Sequence, residues 1–297
     1  MKKGILLLLL FCVSLCAFAE GNGDTSAQKK ANHYLNISSG LIYVHYKDYV
    51  VSPLTYNSVG FFPFFEAELE GRKINRSGFT SLLINNRLLN TDVASLNHTG
   101  AEEYLQLKLA NSNCYQLTNF FQNKVRYRLG YSANFEYNHQ INLRLENAAY
   151  TFAIWLNGGV ANRFEFPFAI PTEKKIGFIR FRQPRQNLLL SWQVNLPLIT
   201  LITRPNLSGI RHFANGEFIN PLLDEMADHL KVVSLNQFIE IQSQLELQLP
   251  LGNNNRLKLA YLWEGFRYNR EFERVQSTNG GFLIGLMFRL DSREEVQ

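Results

Sequence analysis

The sequence has few cysteines and lacks the common nucleotide-binding and zinc-binding motifs. It contains three cysteines, and two of them, Cys12 and Cys16, lie in the amino-terminal segment that we expect to be removed. The remaining Cys114 cannot form an internal disulfide or a metal site of several cysteines. No P-loop, GxGxxG or HExxH motif is present. The sequence therefore predicts no catalytic, cofactor-binding or metal site, and it does not indicate an enzyme.

Long apolar runs are also scarce. The first follows Lys2 and Lys3, and Ala17-Phe18-Ala19 after it has the A-x-A form of a signal-peptide cleavage site. We therefore predict a cleaved signal peptide over residues 1–19 and export of the remaining chain. Lipidation of Cys16 is the alternative, although the leucine before it fits a lipidation site poorly. No later stretch reaches the ~20 apolar residues that a membrane-spanning helix needs.

A strong charge of one sign is missing as well. The formal net charge is +5, and it falls to +3 when the predicted signal peptide and its two lysines are removed. Lysine and arginine are not clustered as they are on a nucleic-acid-binding face, so we predict no nucleic-acid partner. Hydrophobic residues nevertheless make up 46% of the chain, and aromatic residues 13%. A membrane protein without spanning helices must be a closed β-barrel, because only closure pairs every backbone group in lipid.

The stretch from Val125 to Tyr137 shows how the apolar residues are arranged. One face carries Val125, Tyr127, Leu129, Tyr131, Ala133, Phe135 and Tyr137, and the other carries Arg126, Arg128, Gly130, Ser132, Asn134 and Glu136. Unbroken alternation of this kind predicts a β-strand. Apolar side chains on one face and charged ones on the other suit a wall between lipid and an enclosed polar interior.

Similar stretches recur along the chain. We predict strands at about residues 34–46, 59–69, 77–89, 104–117, 125–137, 150–168, 188–202, 238–249, 256–268 and 281–290. Short and long connections alternate, except at residues 169–187, where an extra strand pair would raise the count to twelve. Pro63 predicts a bulge, and Gly158-Gly159 predicts a bend. The sequence thus predicts an all-β fold, a single antiparallel transmembrane β-barrel of about ten strands.

The predicted signal peptide, the alternating strands and the aromatic-rich final strand Phe282–Leu290 resemble those of Gram-negative outer-membrane β-barrel proteins. The resemblance is one of architecture and covers most of the mature chain. It implies an outer-membrane localisation, contact with outer-membrane lipid and lipopolysaccharide, and insertion by the barrel-insertion machinery. The residues after the final strand depart from the family pattern. We divide the chain into a signal peptide (1–19), a flexible lead (20–32), the barrel (33–291) and a tail (292–297).

Charged residues fall on the inward faces of the predicted strands. They are Glu66, Glu68, Arg126, Arg128, Glu136, Glu240 and Glu246. Because buried charges must be paired and hydrogen-bonded, we predict a lumen-facing charge network that closes the interior by salt bridges. A selective pore lined by the same charges and a pair of catalytic carboxylates are the alternatives.

The longest predicted connection, at residues 203–236, holds the second candidate site. Asn220 and Pro221 suit the start of a helix that extends to Val233. Its apolar stripe would cover the barrel mouth or dock a partner protein, and it includes Leu222, Leu223, Met226 and Leu230. The same connection contains His212, His229, Asp224 and Asp228, which have the composition of a hydrolytic site.

Together these features predict a structural or accessory barrel of the cell envelope, working with another envelope protein. A narrow, porin-like channel for small polar solutes is the first alternative. A hydrolase at the barrel rim, acting on lipid or peptide, is the second.

Overall fold

The computed structural model describes residues 32–50, 55–70, 73–84, 90–91, 103–122, 124–141, 150–170, 173–176, 179–182, 186–204, 230–251, 254–270 and 273–290. Within these ranges the strands are, in chain order, β1 (Asn32–Asp48), β2 (Tyr56–Glu70), β3 (Lys73–Ile84), β4 (Asn90–Thr91), β5 (Glu103–Phe120), β6 (Val125–Ile141), β7 (Tyr150–Ile170), β8 (Glu173–Ile176), β9 (Ile179–Arg182), β10 (Gln186–Thr203), β11 (Leu230–Ser234), β12 (Phe238–Pro250), β13 (Arg256–Tyr268) and β14 (Val275–Leu290). Ten of these strands are long, while β4, β8, β9 and β11 are short.

The ten long strands form a closed antiparallel wall. Its order is β1, β14, β13, β12, β10, β7, β6, β5, β3 and β2, and β2 pairs again with β1. The first and last strands pair from His33↔Leu290 to Asp48↔Val275, which joins the two ends of the sheet. The predicted ten-stranded antiparallel barrel is therefore confirmed. No helix in the described ranges is long and apolar enough to cross a membrane.

The two ends of the barrel differ in their connections. At one end, which we call the turn end, β2 joins β3, β5 joins β6 and β12 joins β13 by short turns. The start of β1 and the end of β14 also lie at the turn end. At the opposite loop end, the connections after β3 and β10 are much longer. The turn end has one long connection, from β7 to β10, and it contains the hairpin of β8 and β9, which is a separate two-stranded sheet. The extra strand pair suspected at residues 169–187 thus exists, but it is not part of the wall.

Side chains alternate between the outward and inward faces of the wall. In β14, Phe282, Ile284 and Leu286 are 71%, 58% and 42% exposed, whereas Leu283 and Met287 are buried. Strand β2 follows the same pattern, with Val59, Phe61 and Phe65 exposed and Phe62, Phe64, Glu66 and Glu68 buried. A continuous apolar exterior around a charged interior is the reverse of a water-soluble fold. It is the architecture of outer-membrane-type transmembrane β-barrels.

The wall departs from regular pairing at the expected glycine pair. Between β7 and β10 the register shifts at Pro197/Ile199, directly opposite Gly158 and Gly159. The extra residue, Leu198, leaves two successive outward side chains and turns Thr200 inward. The bend predicted at Gly158-Gly159 thus coincides with a bulge, a feature that bends its strand locally, and the bulged residue lies on the partner strand.

Pro63 does not produce the predicted bulge. It pairs in register with Ser39 of β1. The ladder between β2 and β3 instead ends at Phe64↔Thr80, next to the proline. Since proline has no backbone N–H to donate, its position suits the point at which β2 and β3 separate.

Three element boundaries predicted from the sequence were wrong. Strand β3 begins at Lys73 instead of residue 77, and β14 begins at Val275 instead of residue 281. The residues concerned are polar and resemble loops, but Arg76 and Ser277 are buried in the barrel interior. The predicted helix is also wrong at its carboxyl end, because Leu230–Ser234 is strand β11 and pairs with β10. Pairing of this β-branched segment with a neighbouring strand overrides the helical pattern.

Candidate functional site

A network of buried ion pairs fills the interior near the turn end, and we call it the basal network. The Arg76 guanidinium donates to both carboxylate oxygens of Glu246, at 3.0 and 2.8 Å, and lies 2.6 Å from Glu68. The Lys258 ammonium lies 2.9 Å from Glu66 and 3.2 Å from Glu246. None of these five residues is more than 4% exposed. The carboxylate of Glu246 is therefore shared by two cations.

A second branch of the basal network joins β6 and β7. The Glu165 carboxylate lies 3.1 Å from Arg128 Nε and 2.9 Å from Arg163 Nε. The Arg163 guanidinium also donates to Gln193 Oε1 at 3.4 Å. This branch has one more cation than carboxylates, and the first branch has one more carboxylate than cations. The two branches together are formally neutral, so the basal network carries no net charge into the interior.

Two ion pairs cross the whole lumen, one in the basal network and one nearer the loop end. The strands of Arg76 and Glu246, β3 and β12, lie five places apart in the ring of ten and are diametrically opposite. The same holds for β5 and β13, whose Lys108 and Glu264 form an ion pair nearer the loop end. Side chains from opposite walls thus meet at two levels of the barrel. This arrangement fills the lumen with paired charge.

The second level is a cluster of three carboxylates around one ammonium, which we call the outer cluster. Besides Glu264, Lys108 Nζ lies 3.5 Å from Glu136 and 3.7 Å from Glu240. Amide groups donate to the same carboxylates, Gln106 to Glu136 at 2.7 Å and Asn157 to Glu240 at 2.5 Å. Carboxylate oxygens of all three glutamates lie within 4.8 Å of one another. The spacing would suit a metal ion, but the lysine ammonium holds the cation position, so we assign the cluster as a charge network.

Buried aromatic side chains close the interior beyond the outer cluster. The Trp155 ring lies 4.9 Å from Phe266 and 6.0 Å from Phe238, measured between centroids. The rings of Tyr46 and Tyr104 lie 5.1 Å apart between centroids and are tilted by 46° to each other. All five are at most 5% exposed. This aromatic cluster was not among the sites predicted from the sequence.

A cavity of about 110 Å³ separates the basal network from the outer cluster. Arg76 and Glu66 line it from the turn end, and Lys108 and Glu264 line it from the loop end. Asn134 also lines it, is only 2% exposed, and has no hydrogen-bond partner for either amide atom among the described residues. Buried amides are normally hydrogen-bonded. The cavity therefore has the size and polarity to hold water or a small polar molecule.

Two further ion pairs tie the loop-end rim together. Arg204, which follows β10, binds the buried carboxylate of Asp48 at the end of β1. Lys231 of β11 lies 2.5 Å from Glu273, which also accepts a hydrogen bond from Tyr268 Oη at 3.0 Å. These pairs connect strands that are not neighbours in the wall, so they brace the barrel mouth.

The structure places most of the predicted lumen-facing charges in these two networks. They are Glu66, Glu68, Arg128, Glu136, Glu240 and Glu246. Arg126 is the exception, because it is exposed near the turn end of β6. Six further residues neutralise or extend the networks and were not predicted from the sequence, namely Arg76, Lys108, Arg163, Glu165, Lys258 and Glu264. Alternation would have found Lys108, Lys258 and Glu264, whereas Arg76 lay in a stretch predicted to be a turn.

The second candidate site lies mostly outside the described residues. This applies to Leu222, Leu223 and Met226 of the predicted docking stripe and to His212, His229, Asp224 and Asp228. Leu230 is described, and it is 49% exposed at the start of β11. Val232 beside it is 72% exposed, so an outward apolar surface is present at this point of the rim.

Comparison with known proteins adds similarity of shape only. No family model and no curated protein matches the chain. Among solved structures, the translocator domain of the autotransporter NalP from Neisseria meningitidis has 8% identity and a TM-score of 0.38, covering 97% of this chain and 96% of that one. The toluene transporter TbuX from Ralstonia pickettii has 8% identity and a TM-score of 0.31, with 88% and 90% covered. The β domain of the Bordetella autotransporter BrkA has 10% identity and a TM-score of 0.28, with 85% and 98% covered. Likeness at this level carries no argument about activity.

Proposed function

We propose that this protein is an integral outer-membrane β-barrel with a structural or accessory role, and that it works with another protein of the cell envelope. The barrel has an even number of antiparallel strands, three of its four turn-end connections are short, and the longer connections after β3 and β10 lie at the other end; these features support the membrane placement. In this placement the turn end faces the periplasm. The 13 residues of β13, at ~3.3 Å each and tilted by ~40°, rise about 33 Å, enough for an apolar band ~25 Å tall.

The crossing of the lumen by paired side chains is the observation that carries the structural role. Arg76 meets Glu246, and Lys108 meets Glu264, from opposite walls. An open channel for solutes needs a continuous wet path. Both levels and the aromatic cluster instead fill the centre of the barrel with buried groups. A closed interior leaves the outer surface and the rim as the places where the protein acts.

Conductance in planar bilayers tests the closed lumen. The full-length mature protein should give no steady current steps, because the ion pairs hold side chains across the lumen. Stable single-channel steps in the wild-type protein would contradict the closed interior. The double variant Arg76→Ala with Glu246→Ala removes the ion pair that crosses the lumen in the basal network. Its current is the reference with which a small leak through the wild-type protein is compared.

The rim around β11 is where we expect the partner to bind. Leu230 and Val232 point away from the barrel. Val233, the next residue, is buried against the interior cluster. Exposed apolar side chains mark contacts with protein or with membrane lipid, and β11 pairs with β10 outside the ring of ten wall strands. A photo-crosslinking residue at Val232 should therefore capture a defined envelope protein in native membranes. The same residue at Phe121, a 77% exposed side chain in the turn after β5, is the control, and equal capture at both positions would count against a specific site.

The cavity beside Asn134 favours a second candidate, a narrow channel for small polar solutes. Its polar lining and unpartnered amide would suit a transient solute between the basal network and the outer cluster. Liposome swelling with small sugars and amino acids distinguishes this function, since a closed barrel gives rates equal to those of protein-free vesicles.

A further inference from the structure

A groove lies on the outward face of the barrel, toward the loop end. It has a volume of about 460 Å³ and is lined mostly by outward residues of β1, β13 and β14, together with Val59 of β2. Gly280 forms its floor and pairs with Tyr43 on one side and Trp263 on the other. Phe282 closes it toward the turn end and is 71% exposed. The groove is thus an apolar depression in the surface that the proposed function places in lipid.

The groove exists because small residues alternate with large ones on these strands. Gly280, Thr278 and Gly265 share the outward face with Tyr43, Tyr261 and Trp263. A Cβ atom at Gly280 would lie 3.4 Å from Tyr261 Oη, and one at Gly265 would lie 3.2 Å from Trp263 Cη2. The aromatic rings therefore lie against the glycines and leave the space between them open.

Three cations stand at the loop end of the groove. Lys47 and Arg267 are both paired in register with Gln276 and flank it on the outward face. Gln276 and Gly280 are four positions apart, which corresponds to about 13 Å along a strand. The Lys47 ammonium and the Arg274 guanidinium both lie over the ring of Tyr49, at 4.8 and 5.3 Å. The cations are thus gathered at one point above the groove.

The described carboxylates at these strand ends, Asp48 and Glu273, pair with cations other than these three. Asp48 is fully buried and binds Arg204. Glu273 is 4% exposed and binds Lys231. Both therefore point inward, whereas Arg267 and Arg274 are exposed. Among the described residues, the outward face above the groove carries positive charge over an apolar surface.

We propose that this surface, the groove lined by Tyr43, Trp263, Gly280 and Phe282 with the cations Lys47, Arg267 and Arg274, binds one phosphorylated and multiply acylated lipid of the outer leaflet. An acyl chain occupies the groove, and a phosphate lies among the three cations. The inference rests on the proposed membrane placement, which puts the loop end outside. A free phosphate would use the cations but not the groove, and an uncharged lipid would use the groove but not the cations.

Binding to purified full-length mature protein in detergent tests the proposal, measured by native mass spectrometry and by competitive titration. The probes are bisphosphorylated lipid A, monophosphoryl lipid A, phosphatidylethanolamine and inorganic phosphate. Lipid A should bind at one per barrel, monophosphoryl lipid A and phosphatidylethanolamine more weakly, and phosphate should not compete. Lys47→Gln, Arg267→Gln and Arg274→Gln together should weaken lipid A binding by roughly a hundredfold, since each cation near a lipid headgroup contributes about fivefold.

Filling the groove should displace the acyl chain and leave the cations in place. Gly280→Val places methyl groups on the floor of the groove, and it should weaken the binding of lipid A and that of phosphatidylethanolamine by similar factors. Gly158→Val is the matched control, because Gly158 is an exposed strand glycine whose Cβ would meet nothing within 4 Å. Lys124→Gln, in the exposed turn after β5, is the charge control. Both control variants should bind lipid A like the wild type.

Three outcomes would overturn the lipid site. They are unchanged lipid A affinity in the triple variant, an equal loss in Lys124→Gln, and displacement of lipid A by inorganic phosphate. Failure of the membrane placement is detected separately, by the absence of the protein from carbonate-washed membranes and the absence of heat-modified mobility on gels. A protein that inserts but binds no lipid A refutes only the lipid site.

Discussion

Breaking the ion pair between Arg76 and Glu246 should destabilise the barrel, and the coupling energy between these two residues from opposite walls should be measurable. Arg76→Met removes a buried guanidinium that contacts Glu246 and Glu68. Methionine keeps much of the side-chain length, so packing is disturbed less than it would be by alanine. The network then carries one uncompensated carboxylate in the centre of the barrel.

The expected cost follows from the contacts that remain. Removing one partner of a buried pair typically costs about 3–5 kcal/mol. Glu246 keeps Lys258 at 3.2 Å and accepts hydrogen bonds from Gln244 and Gln248 at 3.1 and 2.5 Å. We therefore expect about 3 kcal/mol for Arg76→Met. Glu246→Met should cost a similar amount, because Arg76 keeps Glu68.

The double variant distinguishes a coupled ion pair from two buried charges that contribute to stability independently. Arg76→Met with Glu246→Met removes one charge of each sign and restores neutrality. Its cost should fall short of the sum of the single costs by about 1–3 kcal/mol, the range of coupling for residues in contact. Urea unfolding in phospholipid vesicles, followed by tryptophan fluorescence and gel mobility, measures all three values.

Arg126→Met is the matched control, since Arg126 is exposed on the neighbouring turn-end surface. It should change the free energy of unfolding by no more than about 0.5 kcal/mol. Single variants as stable as the wild type, or a double variant whose cost equals the sum, would refute a neutral network that couples opposite walls.

Three further measurements test the faces and the interior of the wall. Ile284→Arg, at an outward position midway along β14, should cost about 2–4 kcal/mol, whereas Leu290→Arg at the turn end should cost about 0–1 kcal/mol; equal costs in vesicle unfolding would mean that no apolar band surrounds the barrel. Phe266→Ala should cost about 3–5 kcal/mol by the same assay, because its ring packs on Trp155 and Phe238 in the buried aromatic cluster; a cost below 1 kcal/mol would mean that the loop end is loosely filled. Ser132→Ala should be neutral within about 0.5 kcal/mol, since its buried hydroxyl has no partner among the described residues, and a larger loss in unfolding free energy would reveal a hydrogen bond that this geometry lacks.

The outward face of the wall could be predicted from sequence because it depends on local alternation alone. Phe282, Ile284 and Leu286 are apolar at every second position, and a strand has no other way to place them on one side. The ten-strand count followed from the same alternation together with connection lengths. Neither inference required knowledge of which strands are opposite each other.

The partners inside the lumen could not be predicted in this way. Arg76 and Glu246 are 170 positions apart, and their meeting depends on the order and closure of all ten strands. Arg76 was placed in a turn because charged residues near a glycine resemble a loop, whereas here they face inward. Trp155 and Phe266 were missed for the opposite reason, because apolar residues on the inward face contradict a simple two-sided pattern.

The distribution of charge inside the barrel explains why its action is expected at its surface. The basal network balances cations with carboxylates and needs no ligand to complete it. The outer cluster has three carboxylates and one lysine, so any exchange of protons or ions inside the barrel would centre on Glu136, Glu240 and Glu264. The aromatic cluster nevertheless covers that cluster from the loop end, and the basal network covers it from the turn end. A binding step that disturbs neither barrier would take place outside, at surfaces such as the groove at Gly280 and the exposed Val232.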